Sequence, residues 1–145
     1  MFKHILLPVD GSETSSLAVS KTMELAKSFD SLVTVIYVID PYPFTGVGTD
    51  FAYGQAEYLS AATAEANAAV HAAKETFTRF GVSVDTTVIE SHAVWRGIVE
   101  AGESLKADLI VMGSHGRSGL EKLVLGSVAQ AVLSHTRLPV LVVRS

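Results

Sequence analysis

Short apolar segments alternate with segments of helical periodicity along the whole chain. Most of the apolar segments are continuous and rich in β-branched residues, which is typical of strands buried on both faces. They cover residues 5–7 with Val9, 32–39, 109–112 and 138–143, and a further segment, 82–89, alternates apolar and polar residues. Five strands are therefore predicted.

The segments between these strands have the periodicity of amphipathic helices. The first follows Ser12, a residue type that caps helices, and the second is an alanine-rich stretch, 55–80, that we expect Gly81 to end. The apolar stripes of the first and third helices are Ala18, Thr22, Leu25, Phe29 and Val94, Ile98, Ala101, Leu105. A fourth helix follows the fourth strand.

The alternation of strands and helices predicts an α/β fold. Strands that are separated by helices form a parallel sheet, and right-handed crossovers place helices on both of its faces. The length of 145 residues suits one domain, and a hydrophobic content of 48% is enough for one core. We therefore predict a single doubly wound domain, residues 1–145, with a five-stranded parallel sheet.

The fourth strand leads into a glycine-rich segment. Gly113 ends the strand, Gly116 follows three residues later, and Gly126 comes directly before Ser127. Glycine lets a ligand approach backbone N–H groups closely. Ser127 is expected to be the N-cap of the last helix, with Gln130 completing a capping box. A glycine loop between a strand and a helix N-terminus is typical of a phosphate site.

This segment resembles the nucleotide-binding signature of the universal stress protein family, in its ATP-binding branch. The pattern Gly-x2-Gly-x9-Gly-Ser runs from residue 113 to residue 127. Residues 5–12 resemble the family's first strand and turn, and residues 139–143 resemble its last strand. The resemblance therefore extends over the whole chain.

The resemblance implies the strand order 3-2-1-4-5. In that order the connections reverse between strands one and four, and parallel α/β sheets bind ligands at such a reversal, beyond the carboxyl ends of the strands. Asp10 would then lie beside Gly113. The glycine pattern and the topology thus select the same crevice.

The candidate phosphate contacts are the glycines and the polar residues around them. Ser114, His115 and Ser127 offer side-chain donors, and Arg117 offers a cation that can clamp a phosphate, although it can also be a solvated surface residue. The family pattern extends the contact to Val128 and Ala129. The full set is Gly113, Ser114, His115, Gly116, Arg117, Gly126, Ser127, Val128 and Ala129.

The adenine pocket is expected to be walled by residues at the ends of the first, second and fourth strands. These are Pro8, Val9, Val38 and Met112, which can also be ordinary core residues. Asp10 is expected near the ribose or near a magnesium ion held mainly by phosphates, since Mg²⁺ usually takes only one or two protein carboxylates. Alternatively, the Asp10 carboxylate only starts a helix or a turn.

Composition and motifs exclude several other classes. A net charge of −4, without a Lys or Arg cluster longer than a pair, argues against nucleic acid binding. The absence of cysteine excludes disulfides and thiolate chemistry. No apolar run has the ~18 residues of a membrane span and the start is not typical of a secretory signal, so we expect no membrane insertion and a cytoplasmic location. There is no P-loop motif.

Two functions from different classes fit the sequence. The first, implied by the resemblance, is an ATP-binding regulatory protein in stress response, a switch or sensor that acts on a partner such as a membrane transporter. The second is a slow ATP hydrolase or nucleotide-transferring enzyme of the adenine-nucleotide α-hydrolase type. Such an enzyme must position an attacking nucleophile. His115 is the only candidate for that task, and the backbone around it is already expected to bind phosphate, so no catalytic residue is assigned.

Two further expectations concern surfaces. The last strand, 138–143, is apolar and would lie at the edge of the sheet, so we expect a homodimer through it. Residues 41–54 are expected to form a long loop that leaves the second strand beside the adenine pocket. No role is assigned to His92.

Overall fold

The computed structural model describes residues 1–41, 49–115 and 125–144, and of residues 49–53 only the backbone. Within these ranges the chain forms strands and helices in strict alternation. They are β1 (His4–Pro8), α1 (Glu13–Phe29), β2 (Leu32–Ile39), α2 (Thr49–Arg79), β3 (Val84–Glu90), α3 (Val94–Ser104), β4 (Leu109–Gly113), α4 (Ser127–His135) and β5 (Val140–Val143).

The five strands form one parallel sheet in the order β3-β2-β1-β4-β5. In the centre, Leu6 of β1 pairs with Thr34 of β2 on one side and with Ile110 of β4 on the other. At the start of β1, the carboxylate of Asp108 accepts hydrogen bonds from the N–H groups of Lys3 at 2.9 Å and His4 at 3.1 Å. The predicted fold class and strand order are confirmed.

Each face of the sheet carries its own apolar core. Because side chains alternate along a strand, Ile5 and Leu7 pack on the face covered by α1 and α2, while Leu6 packs on the face covered by α3 and α4. All three are fully buried. This double burial explains why the strands appear in the sequence as continuous apolar runs.

The two helices of the second face are held to each other near their ends. Trp95 in the first turn of α3 stacks on His135 in the last turn of α4, with ring centroids 4.1 Å apart and an interplanar angle of 26°. Near the other end of α3, Gly102 comes close to Leu138: an added Cβ would lie 3.0 Å from its Cδ1. The helix α3 thus contacts α4 at one end and the segment before β5 at the other.

The predicted loop over 41–54 is wrong in its second part. Residues 42–48 lie outside the described residues, but α2 already begins at Thr49 and passes through Gly54. A glycine inside a helix costs about 1 kcal/mol relative to alanine, which a helix of 31 residues can bear. Gln55 Nε2 donates to the carbonyl oxygen of Pro41 at 2.7 Å, which fixes the helix against the end of the preceding segment.

The bounds of β2 are as predicted, and the other boundaries that differ do so by one or two residues. The helix α2 ends at Arg79, and the N–H of Val82 donates to the carbonyl of Phe77 at 3.0 Å, so β3 starts at Val84 instead of residue 82. Similarly, the N–H of Leu138 donates to Thr136 Oγ1 at 3.1 Å, and β5 starts at Val140. The predicted cap of α1 is confirmed, since Ser12 Oγ accepts from the N–H of Ser15.

Candidate functional site

A cavity of about 260 Å³ opens at the carboxyl ends of β1, β2 and β4. The sheet's connections diverge here, because β1 leads to α1 on one face and β4 leads to α4 on the other. This divergence leaves a crevice between neighbouring strands, the usual ligand position in doubly wound folds. The first turns of α1, α3 and α4 contribute to the walls.

Most of the residues predicted for the site lie around this cavity. Those that line it are Pro8, Val9, Asp10, Val38, Met112, Gly113, His115, Gly126, Ser127, Val128 and Ala129. Gly116 and Arg117 lie outside the described residues. Ser114 does not line the cavity: its N–H donates to Val143 O at 2.8 Å, and its carbonyl accepts from Gly126. Its backbone joins the two ends of the glycine segment.

Six further residues line the cavity, and the sequence did not indicate any of them as a site residue. They are Ser12, Thr14, Ser15, Tyr37, Val94 and Ile98. Ser12, Thr14 and Ser15 lie at the N-cap and in the first turn of α1, within five residues of Asp10. Their nearness to Asp10 in the sequence was a usable signal. The approach of α3 to the end of β2 is a tertiary contact, and no local pattern indicates it.

The N-terminus of α4 opens onto the cavity, but its cap differs from the predicted one. Gly126 is the N-cap, with φ −67° and ψ 161°, and Ser127 is the first helical residue. Gln130 does not complete a capping box, because its Nε2 donates to Leu125 O at 2.7 Å. The chain turns one residue earlier because the N–H of Gly126 donates to Ser114 O at 2.7 Å, a contact that brings the backbone too close for a side chain.

Gly126 packs closely against the two residues Ser114 and His115. An added Cβ on Gly126 would lie 3.0 Å from His115 Cα, 3.1 Å from His115 Cβ and 3.3 Å from Ser114 O. Two of these atoms belong to the backbone, which cannot move aside as a side-chain end can. A side chain here would make its neighbours shift by a few tenths of an ångström, so the position favours glycine, and the start of α4 remains open to the cavity.

A second close approach joins α1 to the glycine segment. An added Cβ on Gly113 would lie 2.7 Å from Thr14 Oγ1, 2.9 Å from Thr14 Cβ and 3.0 Å from its carbonyl carbon. The Thr14 hydroxyl also donates to the carbonyl oxygen of His115. The first turn of α1 thus holds the start of the segment in place, and two helix N-termini with their partial positive charge meet at one cavity.

Asp10 is held at the cavity by local hydrogen bonds. Its Oδ1 accepts from the N–H of Ser12 at 2.9 Å, and its own N–H donates to Ser15 Oγ at 3.2 Å. The carboxylate therefore starts the turn before α1 and faces the cavity at the same time. Among the described residues no group of three or more His, Cys, Asp or Glu side chains can hold a metal ion.

Polar atoms beside the cavity are buried without a partner. Among the described residues, both ring nitrogens of His115 and the hydroxyl oxygen of Ser114 have no hydrogen-bond partner. A buried polar group without a partner costs about 1–3 kcal/mol. Of these two residues His115 lines the cavity, so its ring nitrogens are consistent with polar contacts that a ligand completes.

At the apolar end of the cavity, the last residues of β2 pair with β3 but extend beyond the end of β1. Val9 N–H donates to Ile36 O at 2.8 Å, and β1 pairs no further. Backbone groups alternate sides along a parallel strand, so those of Val38, two residues after Ile36, also face the β1 side. Within the described part of the chain β1 supplies no strand partner there. One N–H and one carbonyl therefore point toward the cavity beside apolar side chains.

Comparison with known proteins identifies the family. The sequence profile of the universal stress protein family matches residues 1–144. The chain belongs to this family. The universal stress protein MJ0531 of Methanocaldococcus jannaschii is 39% identical over 145 residues, which is 99% of this chain and 83% of that protein.

Solved structures of universal stress proteins and related chains share the fold. The hypothetical protein MJ0577, whose biochemical function was assigned from its structure, superposes with a TM-score of 0.87 at 29% identity, over 99% of this chain and 96% of that one. A universal stress protein in complex with cAMP superposes with a TM-score of 0.63 at 25% identity, over 98% and 96%. In the described part of the chain, no helix is long and apolar enough to span a membrane.

Proposed function

We propose that residues 1–145 form one ATP-binding domain of the nucleotide-binding branch of the family, and that it acts as a nucleotide-dependent switch. The observation that carries this proposal is the cavity at the sheet's divergence, into which the open N-terminus of α4 points beside Gly126. The cAMP complex of a family member supports an adenine nucleotide as the ligand.

The phosphates would lie at the glycine end of the cavity. The first N–H groups of α4, from Ser127 to Ala129, have no partner within the helix and are natural donors to an anion. The Ser127 side chain is exposed at the cavity and adds a hydroxyl. His115 and the residues Gly116 and Arg117 are proposed to complete the phosphate contacts.

The base would lie at the apolar end, against Pro8, Val9, Val38 and Met112. Adenine presents a donor and an acceptor side by side, its amino group and the neighbouring ring nitrogen. The carbonyl and N–H of Val38 offer the complementary acceptor and donor. Guanine presents an oxygen where adenine has its amino group, and that oxygen would face a carbonyl. We therefore propose that ATP is preferred over GTP.

A magnesium ion fits this arrangement in one way. Asp10 is a carboxylate at the cavity with one oxygen bonded to Ser12, and the residues that the structure describes offer no group of three metal ligands beside it. An ion that enters with the phosphates would need only that carboxylate and water to complete its coordination. Its contribution would be to neutralise phosphate charge.

The first experiment measures nucleotide binding and turnover by the wild-type protein. We expect calorimetry to show ATP binding at least about 10-fold tighter than GTP binding, because the wrong base leaves buried polar groups unpaired. We also expect phosphate release well below ~1 s⁻¹ under saturating ATP, because the proposal places Asp10 at the ribose and metal side and His115 among the phosphate contacts, which leaves no residue assigned to position an attacking water. A wild-type protein that binds no ATP would contradict the proposal.

Turnover above one per second that disappears in His115→Ala would favour the hydrolase instead. Identification by mass spectrometry of the nucleotide released on heating the purified protein complements both measurements. It shows which ligand the protein carries when it is isolated.

Replacement of Asp10 tests the ribose and metal end of the site. Asp10→Ala should weaken ATP binding by about 1–3 kcal/mol, the scale of a lost hydrogen bond to a charged group. Asp10→Asn keeps an oxygen for the N–H of Ser12 and removes the charge, so it distinguishes the role of Asp10 in the turn from a role in metal binding. If the carboxylate serves Mg²⁺, Asp10→Asn should lose affinity only in the presence of Mg²⁺. Unchanged affinity in both variants, with and without Mg²⁺, would remove Asp10 from the site.

We also propose a homodimer through β5, which lies at the edge of the sheet. The N–H of Ile110 donates to Pro139 O and that of Ser114 donates to Val143 O, so the odd-numbered residues of β5 face β4. The backbone groups of Val140 and Val142 consequently face outward. The side chain of Leu141 is 37% exposed beside them. An apolar edge with free backbone groups favours antiparallel pairing with a second copy.

The family resemblance supplies the remaining parts of the proposal. It implies a regulatory role in stress response, exerted on a partner protein with a membrane transporter among the candidates. We propose a cytoplasmic location, because that is where the proposed ligand, ATP, is available to a sensor.

A further inference from the structure

Gly97 brings α3 unusually close to the end of β2. It lies in the second turn of α3, it is buried, and its N–H donates to Ala93 O at 3.2 Å. An added Cβ would lie 2.9 Å from Val38 Cγ1, 3.3 Å from Val38 Cγ2 and 3.2 Å from Ser91 Cβ. The nearest obstacle is thus the pair of methyl groups on Val38, a residue that lines the cavity.

The helix residues on either side of this contact belong to the same wall. Val94, one turn before Gly97, and Ile98, directly after it, both line the cavity. Val38 and Ile98 also pack in the same core cluster. The distance between α3 and β2 therefore sets the distance between apolar groups that enclose one end of the cavity.

We propose that Gly97 is a specificity-determining position that sets the width of the base pocket by allowing this contact with Val38. The inference rests on the proposed nucleotide function and assigns the base-size preference to one contact. The pocket accepts a two-ring purine because no side chain at position 97 displaces Val38.

An alanine at position 97 cannot be absorbed by rotation of Val38 alone. The two Val38 methyls occupy two of the three staggered positions, so every rotamer leaves a methyl at one of them, 2.9 or 3.3 Å from the new Cβ. The backbone of Val38 is held by its register with Ile89 in β3. The helix α3 is held by the stacking of Trp95 on His135. Of the two residues that meet the added Cβ, Val38 and Ser91, only Val38 lines the cavity, so we infer that the displaced Val38 side chain narrows the pocket.

The test compares binding of ATP, CTP and inorganic tripolyphosphate to the wild type and to Gly97→Ala. We expect ATP affinity to fall more than 10-fold, CTP affinity to fall less than threefold because its base has one ring, and tripolyphosphate affinity to stay unchanged. Alanine has the higher helix propensity, so a change in helix stability alone does not predict this pattern. An equal loss for all three ligands would contradict a role in base size.

The matched control is Gly102→Ala, the same change in the same helix. Its Cβ would meet Leu138 Cδ1 at 3.0 Å, and neither Gly102 nor Leu138 lines the cavity. The ratio of ATP to CTP affinity should stay within twofold of the wild type. A collapse of this ratio in Gly102→Ala as well would overturn the assignment to Gly97.

A second pair of variants keeps the test decisive if Gly97→Ala folds poorly. Val38→Ala removes both obstructing methyls, so the double variant Gly97→Ala/Val38→Ala should bind ATP within threefold of Val38→Ala alone. A double variant more than 10-fold weaker than Val38→Ala would overturn the inference. A wild type that binds ATP together with an unaltered Gly97→Ala would overturn this inference only. A wild type that binds no nucleotide would overturn it and the proposed function together.

Discussion

Gly126→Val is expected to abolish ATP binding while the protein still folds. Valine adds a Cβ that would lie 3.0 Å from His115 Cα, and two methyl groups beyond it, at the point where the α4 N–H groups open to the cavity. The backbone dihedrals of Gly126 are extended with a negative φ, so valine introduces no backbone strain there. We expect an affinity loss of at least about 100-fold, since several charge-assisted hydrogen bonds of ~1.5–3 kcal/mol each would be displaced.

Calorimetry with ATP measures this effect, and circular dichroism with thermal unfolding checks the fold. Ser134→Val is the matched control, because it places the same side chain on α4 at an exposed position outside the cavity. Its affinity should equal that of the wild type. A folded Gly126→Val protein with wild-type affinity would refute the phosphate position at α4.

Val142→Pro is expected to convert the proposed dimer into a monomer. Proline removes the N–H of Val142, which faces the free edge of β5, and leaves the bonds between β5 and β4 in place. Antiparallel pairing with a second copy loses a ladder hydrogen bond at this position in each chain, two in all about a two-fold axis. Light scattering at high micromolar concentration should report half the mass of the wild type.

The control for this experiment is Val142→Thr, which retains the N–H and the β-branched shape. It should remain a dimer, with a small change in affinity between protomers. A wild-type protein that is monomeric at high micromolar concentration would refute the edge-strand dimer, and a dimeric Val142→Pro would place the interface elsewhere.

The fold could be predicted from sequence because its strands are buried on both faces. The segment 32–39 was assigned in full, since eight consecutive apolar or β-branched residues fit no other element of that length. The strand order came from the family resemblance, because the alternation of strands and helices alone allows several orders. The start of α2 at Thr49 could not be predicted, since glycines and aromatic residues in 46–54 suggested a loop.

The site could be predicted where backbone geometry requires a residue type. Glycines 113 and 126 could be predicted from their spacing between a strand and a helix start, and in the structure they allow the close approaches to Thr14 and His115. The cap was displaced by one residue because a serine and a glycine are both good N-caps, and the hydrogen bond from Gly126 to Ser114 decides between them. The contributions of Val94 and Ile98 depend on how α3 packs on the sheet, which the local sequence does not encode.

The central position of β1 has a consequence for how the chain is made. Leu6 pairs on one side with Thr34 and on the other side with Ile110, which comes 76 residues after Thr34 in the chain. At about 5–20 residues per second, ribosomal synthesis of that interval takes roughly 4–15 s. If β1 and β2 pair before β4 has been made, β1 is the edge strand of that partial sheet, and an apolar edge with unpaired backbone groups favours association with other chains. The cavity is complete only after β4 has been inserted beside β1 and α4 has docked.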